Sequence, residues 1–242
     1  MKSHIQKILH HFGYQLNKYP SLDIRRRMKI VTHYGIDTIL DVGANAGQYA
    51  MEMRRSGFMN NIISFEPIKK VYNVLLKNIG NDPLWSAENY ALGNEDKSES
   101  INISGHSLSS SILGMMPKHI EFAPFSEYIS KEIIEVKRLD TIFANLCKEG
   151  NNIMLKIDTQ GYEKHVIGGA KNSLKYIKLL QLEMSIFQMY ESEMLINEMM
   201  SFINDSGFRL ISLENGIYDP NTGELLQADG IFLNKDSMRI ND

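Results

Sequence analysis

An acidic side chain and two glycines follow a short apolar run near residue 40, a pattern typical of the first strand, loop and helix of a nucleotide-binding α/β sheet. Gly43 and Gly47 stand four residues apart, whereas a dinucleotide fingerprint places three glycines beneath a pyrophosphate. Asp41 precedes them and can attract an ammonium group, while the glycines let the backbone approach a ligand closely. S-adenosylmethionine has such a cationic end, so the pattern favours it. The alternative is a turn that needs small residues only for packing.

A second carboxylate stands at the end of the next apolar run, residues 61–65. Glu66 at this strand end can accept hydrogen bonds from both hydroxyls of a ribose, as the acidic residue of a dinucleotide fold does. Pro67 suits the first position of the helix that follows. The alternative role of Glu66 is to cap the positive end of that helix. The two segments together predict a cofactor site.

The composition is that of an ordinary globular chain. Of 242 residues, 43% are hydrophobic and 23% are charged, which allows a substantial core. No run approaches the roughly 18 apolar residues of a membrane span, and no apolar signal core is present, so we expect a cytoplasmic protein. Cys147 is the only cysteine, which excludes an internal disulfide and a cysteine zinc cluster.

The net charge of -3 is unevenly distributed. Residues 1–35 contain seven Lys or Arg residues and one Asp, so the rest of the chain is acidic. An acidic body argues against nucleic acid as a partner over a wide surface. The basic segment could meet an anionic carrier or a membrane surface, but we expect it to dock on the protein's own acidic flank. The oligomeric state is left open.

The hydrophobic periodicity predicts a helical extension over residues 1–35 and one α/β domain over residues 36–242. Helices are expected over residues 2–12, 22–34, 46–56, 67–78, 140–148, 162–176 and 192–204. Strands are expected over residues 38–42, 61–66, 85–91, 152–158, 178–183, 208–213 and 229–233. The last two strands are joined by a loop too short for a parallel crossover, so one is reversed. The expected fold is a doubly wound, Rossmann-like sheet of seven mostly parallel strands with an antiparallel C-terminal strand.

Residues 97–137 interrupt this alternation with strand-like runs at 100–103 and 133–137. Between them lies a serine-rich segment, residues 106–112. Long inserts in a compact domain are usually functional or mobile. The serines could donate hydroxyls to a cofactor or substrate, or they could form a solvated turn.

Seven segments, in order, resemble the FkbM-type family of S-adenosylmethionine-dependent methyltransferases. They are Leu40–Gly47, Ser64–Pro67, Tyr90–Gly93, Ser109–Ile112, Arg138–Asp140, Lys156–Glu163 and Leu182–Ser185. The block Lys156–Glu163, with sequence KIDTQGYE, is the most specific. The resemblance implies the class I methyltransferase fold, S-adenosylmethionine as cofactor, and methyl transfer to hydroxyls of sugars or natural-product intermediates, free or carrier-linked.

The cofactor site is expected to combine these segments at the carboxyl edge of the sheet, where ligands of doubly wound folds bind. The residues assigned to it are Asp41, Gly43, Ala44, Asn45, Gly47, Tyr49, Glu66, Pro67, Ala91, Leu92, Ser110 and Asp158.

Methyl transfer from a sulfonium to an alcohol requires an oxygen held about 3 Å from the methyl group and the removal of one proton. Asp158, at the end of the fourth parallel strand, is the predicted base, a role that contributes about 10²–10⁴-fold. It could instead orient the cofactor, bind a divalent cation that acidifies the hydroxyl, or cap a helix. Glu183, one strand over, could join it in either role or cap a loop. No metal-site spacing is present, so metal dependence is left open.

Three aromatic residues near these strand ends are the predicted substrate-stacking wall: Tyr162, Phe187 and Tyr190. Core packing is the alternative for each of them. Lys156 precedes Asp158 by two residues, faces the same side of its strand and is expected to pair with a carboxylate.

Three other functions compete with small-molecule O-methylation. A methyltransferase acting on nucleic acid or protein is disfavoured, because a Thr-Gln-Gly turn follows Asp158 where amino-methylating enzymes have a Pro-Pro-aromatic turn. The presence of all three strand-end acids argues against a non-catalytic cofactor-binding or carrier-docking module. The glycine spacing argues against a nicotinamide dehydrogenase.

Overall fold

The computed structural model describes residues 7, 9, 11–14 and 19–238. The helix predicted over residues 2–12 therefore falls largely outside the described residues. The next helix, α1 (Leu22–His33), is confirmed, and it begins where the Ser21 hydroxyl accepts a hydrogen bond from the Ile24 N–H.

Strands and helices then alternate along the chain, with an insert after the third strand. The strands are β1 (Thr38–Val42), β2 (Asn61–Phe65), β3 (Trp85–Glu88), β4 (Ala91–Leu92), β5 (Lys97–Ser104), β6 (Tyr128–Lys137), β7 (Ile153–Ile157), β8 (Ile177–Ser185), β9 (Phe208–Asn215) and β10 (Gln227–Asn234). The further helices are α2 (Gln48–Arg55), α3 (Lys69–Ile79), α4 (Pro117–Phe122), α5 (Leu139–Leu146), α6 (Glu163–Gly168) and α7 (Ile196–Asp205). Within the described part of the chain, none of the helices is both long and apolar enough to cross a membrane.

Seven strands form one sheet in the order β3-β2-β1-β7-β8-β10-β9. Strands β1, β2, β3, β7 and β8 run parallel, whereas β10 is antiparallel to both β8 and β9. The predicted fold class, with its reversed strand near the C-terminus, is confirmed. Because parallel strands end at the same edge, the residues that follow β1, β2 and β7 meet there.

The central strands β1 and β7 are buried along their whole length, as expected of parallel strands covered on both faces. Alternate residues of β1 face different cores. Leu40 and Val42 pack in one hydrophobic cluster, and Ile39 packs in the other with Met53 and Trp85. The chain therefore places its most apolar strands directly beneath the expected site.

A smaller sheet of order β4-β6-β5 stands beside the large one. The predicted strand over residues 85–91 stops at Glu88, because the chain turns at Asn89, whose amide donates to the carbonyls of Glu66 and Pro67. The next residues form β4, which pairs with β6. The predicted runs 100–103 and 133–137 lie in β5 and β6, which pair antiparallel.

The helix predicted over residues 162–176 is wrong in its second half. Helix α6 ends at Gly168, and residues 174–176 form only a short 3-10 turn. A Cβ on Gly169 would lie 1.8 Å from the Gly93 carbonyl oxygen, so the chain passes another backbone there. The Asp140 carboxylate then accepts hydrogen bonds from the N–H groups of Asn172 and Ser173, which favours a turn over a helix.

Helix α1 docks on the acidic side of the large sheet through two arginines. The buried Arg27 guanidinium donates two hydrogen bonds to the Glu214 carboxylate of β9, and its Nη1 lies 3.0 Å from Glu52 Oε2 of α2. Arg26 Nη1 donates to the Leu213 carbonyl oxygen at 2.9 Å. The expected docking of the basic segment on the protein's own acidic residues is observed for Arg27, whereas Arg26 contacts the backbone of β9.

We predict that Arg27→Met lowers the free energy of unfolding by about 3–5 kcal/mol, because it leaves the Glu214 carboxylate buried without its cation. Urea-induced unfolding measures this loss. The matched control is Arg26→Met. The Arg26 side chain is 41% exposed, and that of its partner Asp23 is 35% exposed. That variant should lose less than about 1 kcal/mol. Equal losses in the two variants would contradict the prediction.

Candidate functional site

A crevice opens at the carboxyl edge of the large sheet, between the loops after β1, β2 and β7. It is lined on one side by apolar residues of the small sheet and the insert, among them Ile101 and Ile112. The predicted site residues that line it are Gly43, Asn45, Glu66, Pro67, Ala91, Leu92, Ser110, Asp158 and Tyr162.

The loop after β1 approaches the end of β7 backbone to backbone. Gly43 has a φ of +74°, and a Cβ there would lie 1.8 Å from the Asp158 carbonyl oxygen. The N–H groups of Gly43 and Ala44 both donate to the Phe65 carbonyl. Gly47 is needed for another reason, since a Cβ there would lie 2.7 Å from the Trp85 ring. The first glycine therefore shapes the crevice and the second permits packing.

Glu66 lines the crevice and also organises the loops around it. It is only 5% exposed, its Oε2 accepts from the Asn45 N–H at 3.0 Å, and its Oε1 accepts from the Ile68 N–H at 2.8 Å. Burial raises the pKa of Glu66 to about 7, although the two N–H donors oppose that shift. Each carboxylate oxygen can accept a further hydrogen bond from a ligand hydroxyl. Pro67 was predicted as the first residue of the helix but stands two positions before it, because Ile68 is the N-cap and Lys69 the first helical residue of α3.

Asp41 does not line the crevice, contrary to its expected contact with a ligand ammonium. It is fully buried, its Oδ1 faces Lys156 Nζ at 3.2 Å, and its Oδ2 accepts from the Ser64 hydroxyl at 3.2 Å. Lys156 Nζ also lies 3.5 Å from Asp158 Oδ2. The cation that Asp41 needs is thus supplied by the protein itself. The expected pairing of Lys156 with a carboxylate is observed twice.

The two predicted catalytic carboxylates are connected by a residue that the sequence analysis missed. Gln160 Nε2 donates to Asp158 Oδ1 at 2.8 Å and to Glu183 Oε2 at 2.9 Å. Asp158 lines the crevice and its side chain is 36% exposed, whereas Glu183 lies behind it. Burial, and then the charge of Asp158, hold the pKa of Glu183 well above its ordinary value. The only sequence signal for Gln160 is a long amide side chain in the turn between two strand-end acids.

The predicted aromatic wall is not a single surface. Tyr162 lines the crevice and stacks on the His165 ring at 4.1 Å. Tyr190 is fully buried, and its hydroxyl donates to Gln160 Oε1 at 2.6 Å, so it cannot stack on a substrate in this structure. Phe187 does not line the crevice, and the Lys118 ammonium lies 4.2 Å from its ring centroid.

The serine-rich segment forms a wall of the crevice rather than a free turn. Asn45 Nδ2 donates to the Ser107 carbonyl at 2.9 Å, and the Ser111 hydroxyl donates to the Gln160 carbonyl at 2.7 Å. Ser110 lines the crevice, and its hydroxyl oxygen accepts from the Ser104 N–H at 3.1 Å. The segment is thus attached to the loops that follow β1 and β7. Ser107, Leu108 and Ser111 were not predicted as site residues, because their approach depends on how the insert folds back.

Two further assigned residues lie behind the crevice. Ala44 is buried in the hydrophobic core. The Tyr49 hydroxyl donates to Gln181 Oε1 at 2.9 Å, and its ring lies between the cations of Arg27 and Lys156. Among the described residues, no group of three or more His, Cys, Asp or Glu side chains is arranged to hold a metal ion.

The fold is shared with solved methyltransferase structures at low sequence identity. The METTL16 methyltransferase domain matches with a TM-score of 0.50 and 7% identity, over 91% of this chain and 70% of that one. Fibrillarin from Aeropyrum pernix matches with a TM-score of 0.48 and 11% sequence identity, over 86% of this chain and 74% of that one. Magnesium protoporphyrin IX methyltransferase from Synechocystis PCC 6803 matches with a TM-score of 0.47 and 8% sequence identity, over 87% of this chain and 77% of that one. The sheet order defines the class I fold of S-adenosylmethionine-dependent methyltransferases.

The particular family follows from the sequence. Residues 41–210, well over half of the chain, match the family model of the methyltransferase FkbM domain. The chain therefore belongs to the FkbM family of methyltransferases, which confirms the predicted family. No curated protein is significantly similar in sequence.

We predict that Gly43→Ala destabilises the fold and removes binding of S-adenosylhomocysteine. The added Cβ would collide with the Asp158 carbonyl, an overpacking cost of about 1–3 kcal/mol beyond the strain of a positive φ. Gly35→Ala is the control, because Gly35 has a φ of +61° and nothing within 4 Å of its Cβ position. Thermal unfolding and calorimetric titration measure both effects. Equal behaviour of the two variants would disprove the close approach.

Proposed function

We propose that this methyltransferase is an O-methyltransferase that acts on a hydroxyl of a sugar, or of a glycan or natural-product intermediate, free or carrier-linked. The observation that carries the proposal is the Asp158 carboxylate, which lines the crevice and is hydrogen bonded through Gln160 to a second carboxylate. An alcohol is a weak nucleophile that needs a base within hydrogen-bond reach. A partly exposed carboxylate at the edge of the cofactor crevice supplies one.

The crevice residues fit S-adenosylmethionine. Glu66 offers two carboxylate oxygens to the ribose hydroxyls, and Gly43 lets the loop after β1 lie close to the backbone of Asp158 at the crevice wall. The apolar side chains of Leu92, Ile101 and Tyr162 suit an adenine ring. When bound, the cofactor supplies a methyl group on a sulfonium, which is already activated for transfer.

In this proposal the protein positions the acceptor and removes its proton. Asp158 takes the proton from the attacking hydroxyl, and the Lys156 ammonium, 3.5 Å from its Oδ2, balances its charge before the proton arrives. The raised pKa of Glu183 lets this residue hold a proton at pH values where an exposed glutamate is ionised.

Glu66 should make cofactor binding dependent on pH. Its pKa is about 7 in the free protein, and hydroxyl donors of a ribose favour the ionised form, so binding lowers that pKa. We predict that S-adenosylhomocysteine binds most tightly above about pH 7 and loses up to about tenfold in affinity per pH unit below it. Calorimetric titration between about pH 6 and pH 8 measures this slope. Glu66→Gln should abolish the slope and weaken binding, whereas Glu121→Gln, on the exposed face of α4, should change neither.

Methylation itself is tested with a panel of sugar nucleotides, glycolipids and carrier-bound intermediates, each examined by mass spectrometry for one added methyl group. We predict that Asp158→Asn lowers turnover of the accepted substrate by about 10²–10⁴-fold while S-adenosylhomocysteine affinity is retained. The control is Asp205→Asn, an exposed carboxylate on α7. Methylation of protein or nucleic acid but of no hydroxyl would contradict the proposal. So would cofactor binding without turnover of any acceptor, which defines a binding module.

A further inference from the structure

Gln160 lies at the junction of the crevice, the two carboxylates and the serine-rich segment. It follows β7 in a turn with a φ of +56°, a conformation that a residue other than glycine rarely adopts. Its carbonyl accepts from the Ser111 hydroxyl at 2.7 Å, so the turn is fixed from the insert as well. A strained residue that is held from several sides next to a reacting group suggests a role in the reaction.

The orientation of the Gln160 amide follows from its neighbours. Both N–H bonds of Nε2 are used, one on Asp158 Oδ1 and one on Glu183 Oε2. An ionised carboxylate only accepts, so the reverse orientation would set the amide oxygen against acceptors. The Tyr190 hydroxyl can donate only one proton. Its oxygen lies 2.6 Å from Gln160 Oε1 and 3.3 Å from the Ser109 carbonyl oxygen, so the shorter hydrogen bond is to Gln160. The amide therefore cannot rotate without losing all three hydrogen bonds.

We infer that Gln160 is the positioning residue for methyl transfer: its amide, fixed by Tyr190, joins Asp158 to Glu183 and holds Asp158 in the reactive orientation. The inference rests on the proposed function, because it takes Asp158 as the base. Gln160 itself removes no proton.

The hydrogen-bond pattern shows that one amide holds both carboxylates. Gln160 donates one N–H to Asp158 Oδ1 and the other to Glu183 Oε2, which also accepts from Gln227. Hydrogen bonds therefore do not single out Asp158 as the charged member of the pair. The Lys156 ammonium beside Asp158 and the burial of Glu183, which raises the pKa of Glu183, do so.

The charges around Asp158 make the amide important. Facing it or its partners are Lys156 on its own strand, Asp41 on β1, Glu163 on α6, Glu183 on β8, Asp229 on β10 and Tyr190. Lys156 is the cation beside Asp158 itself, and Arg27 of α1 acts on this group of acids only through Asp229. An acceptor in place of the Gln160 N–H groups would therefore face carboxylates with little positive charge to compensate.

The substitution Gln160→Glu tests this arrangement with almost no change in shape. It keeps an oxygen for the Tyr190 hydroxyl but replaces both donors with an acceptor. On the accepted hydroxyl substrate, kcat should fall at least about tenfold, the loss expected for charge-assisted hydrogen bonds. The acid limb of the kcat/KM profile should move to higher pH by about one unit or more, and KM for S-adenosylmethionine should stay within about threefold.

Two further variants separate positioning from a structural role. Gln160→Ala should also lower kcat, and Tyr190→Phe should lower it less, because the amide remains but can rotate. Their effects should not add in the double variant, since both act on one hydrogen-bond network. Asn197→Ala, which removes an exposed amide side chain on α7, is the matched control and should leave kcat and the pH profile unchanged. Additive effects or unshifted pH profiles would overturn the inference.

A readout without acceptor separates this inference from the proposed function. The carboxyl ¹³C resonance of Asp158, assigned with Asp158→Asn, should change its chemical shift in Gln160→Ala, because one hydrogen-bond donor to that carboxylate is lost. The same resonance should keep its chemical shift in Asn197→Ala. An unchanged Asp158 resonance in Gln160→Ala would overturn the role of Gln160. If no hydroxyl acceptor is methylated, the proposed function fails, while this spectrum still decides whether Gln160 holds Asp158.

Discussion

The site depends on one lysine buried between two carboxylates. Lys156 Nζ lies 3.2 Å from Asp41 Oδ1 on β1 and 3.5 Å from Asp158 Oδ2 at the end of β7. Burial alone would lower the pKa of Lys156, yet its pKa is raised because both carboxylates favour the charged form. The loop after β1 and the turn after β7 are therefore joined by charge as well as by the close approach at Gly43. Removing Lys156 would leave the Asp41 carboxylate buried in the core without its cation.

This interaction also explains why the acidic residue of the first motif points away from the ligand. From the motif alone, Asp41 is expected to meet a cation on the cofactor. In the folded protein its cation comes from a strand more than one hundred residues later in the chain. A local pattern shows that a strand ends in an acid, but the partner of that acid is decided by the register of β1 against β7. Asp41 thus acts on the crevice indirectly, by holding the lysine that lies beside Asp158.

The same distinction separates what the sequence could predict from what it could not. Alternation, glycines and strand-end acids are local, and they led to the seven strands, the reversed strand near the end and the positions of Glu66 and Asp158. Gln160 and Tyr190 acquire their roles through contacts between distant segments, so nothing in their immediate neighbours identifies them. The broken helix after Gly168 has the same cause, because the backbone of Gly93 passes close to Gly169. Boundaries and partners are tertiary properties, whereas element types are largely local.

The link between α1 and β9 sets the order in which the protein can be completed. Glu214 lies 187 residues after Arg27 in the chain. At about 5–20 residues per second, a ribosome makes the second residue roughly 10–40 seconds after the first. During that interval the guanidinium has only Glu52 of its two carboxylate partners, and the parallel core can already assemble around β1 and β7. The acidic end of the sheet is then added by the last two strands, which place Asp229 beside Glu183 and fasten α1 across the finished fold.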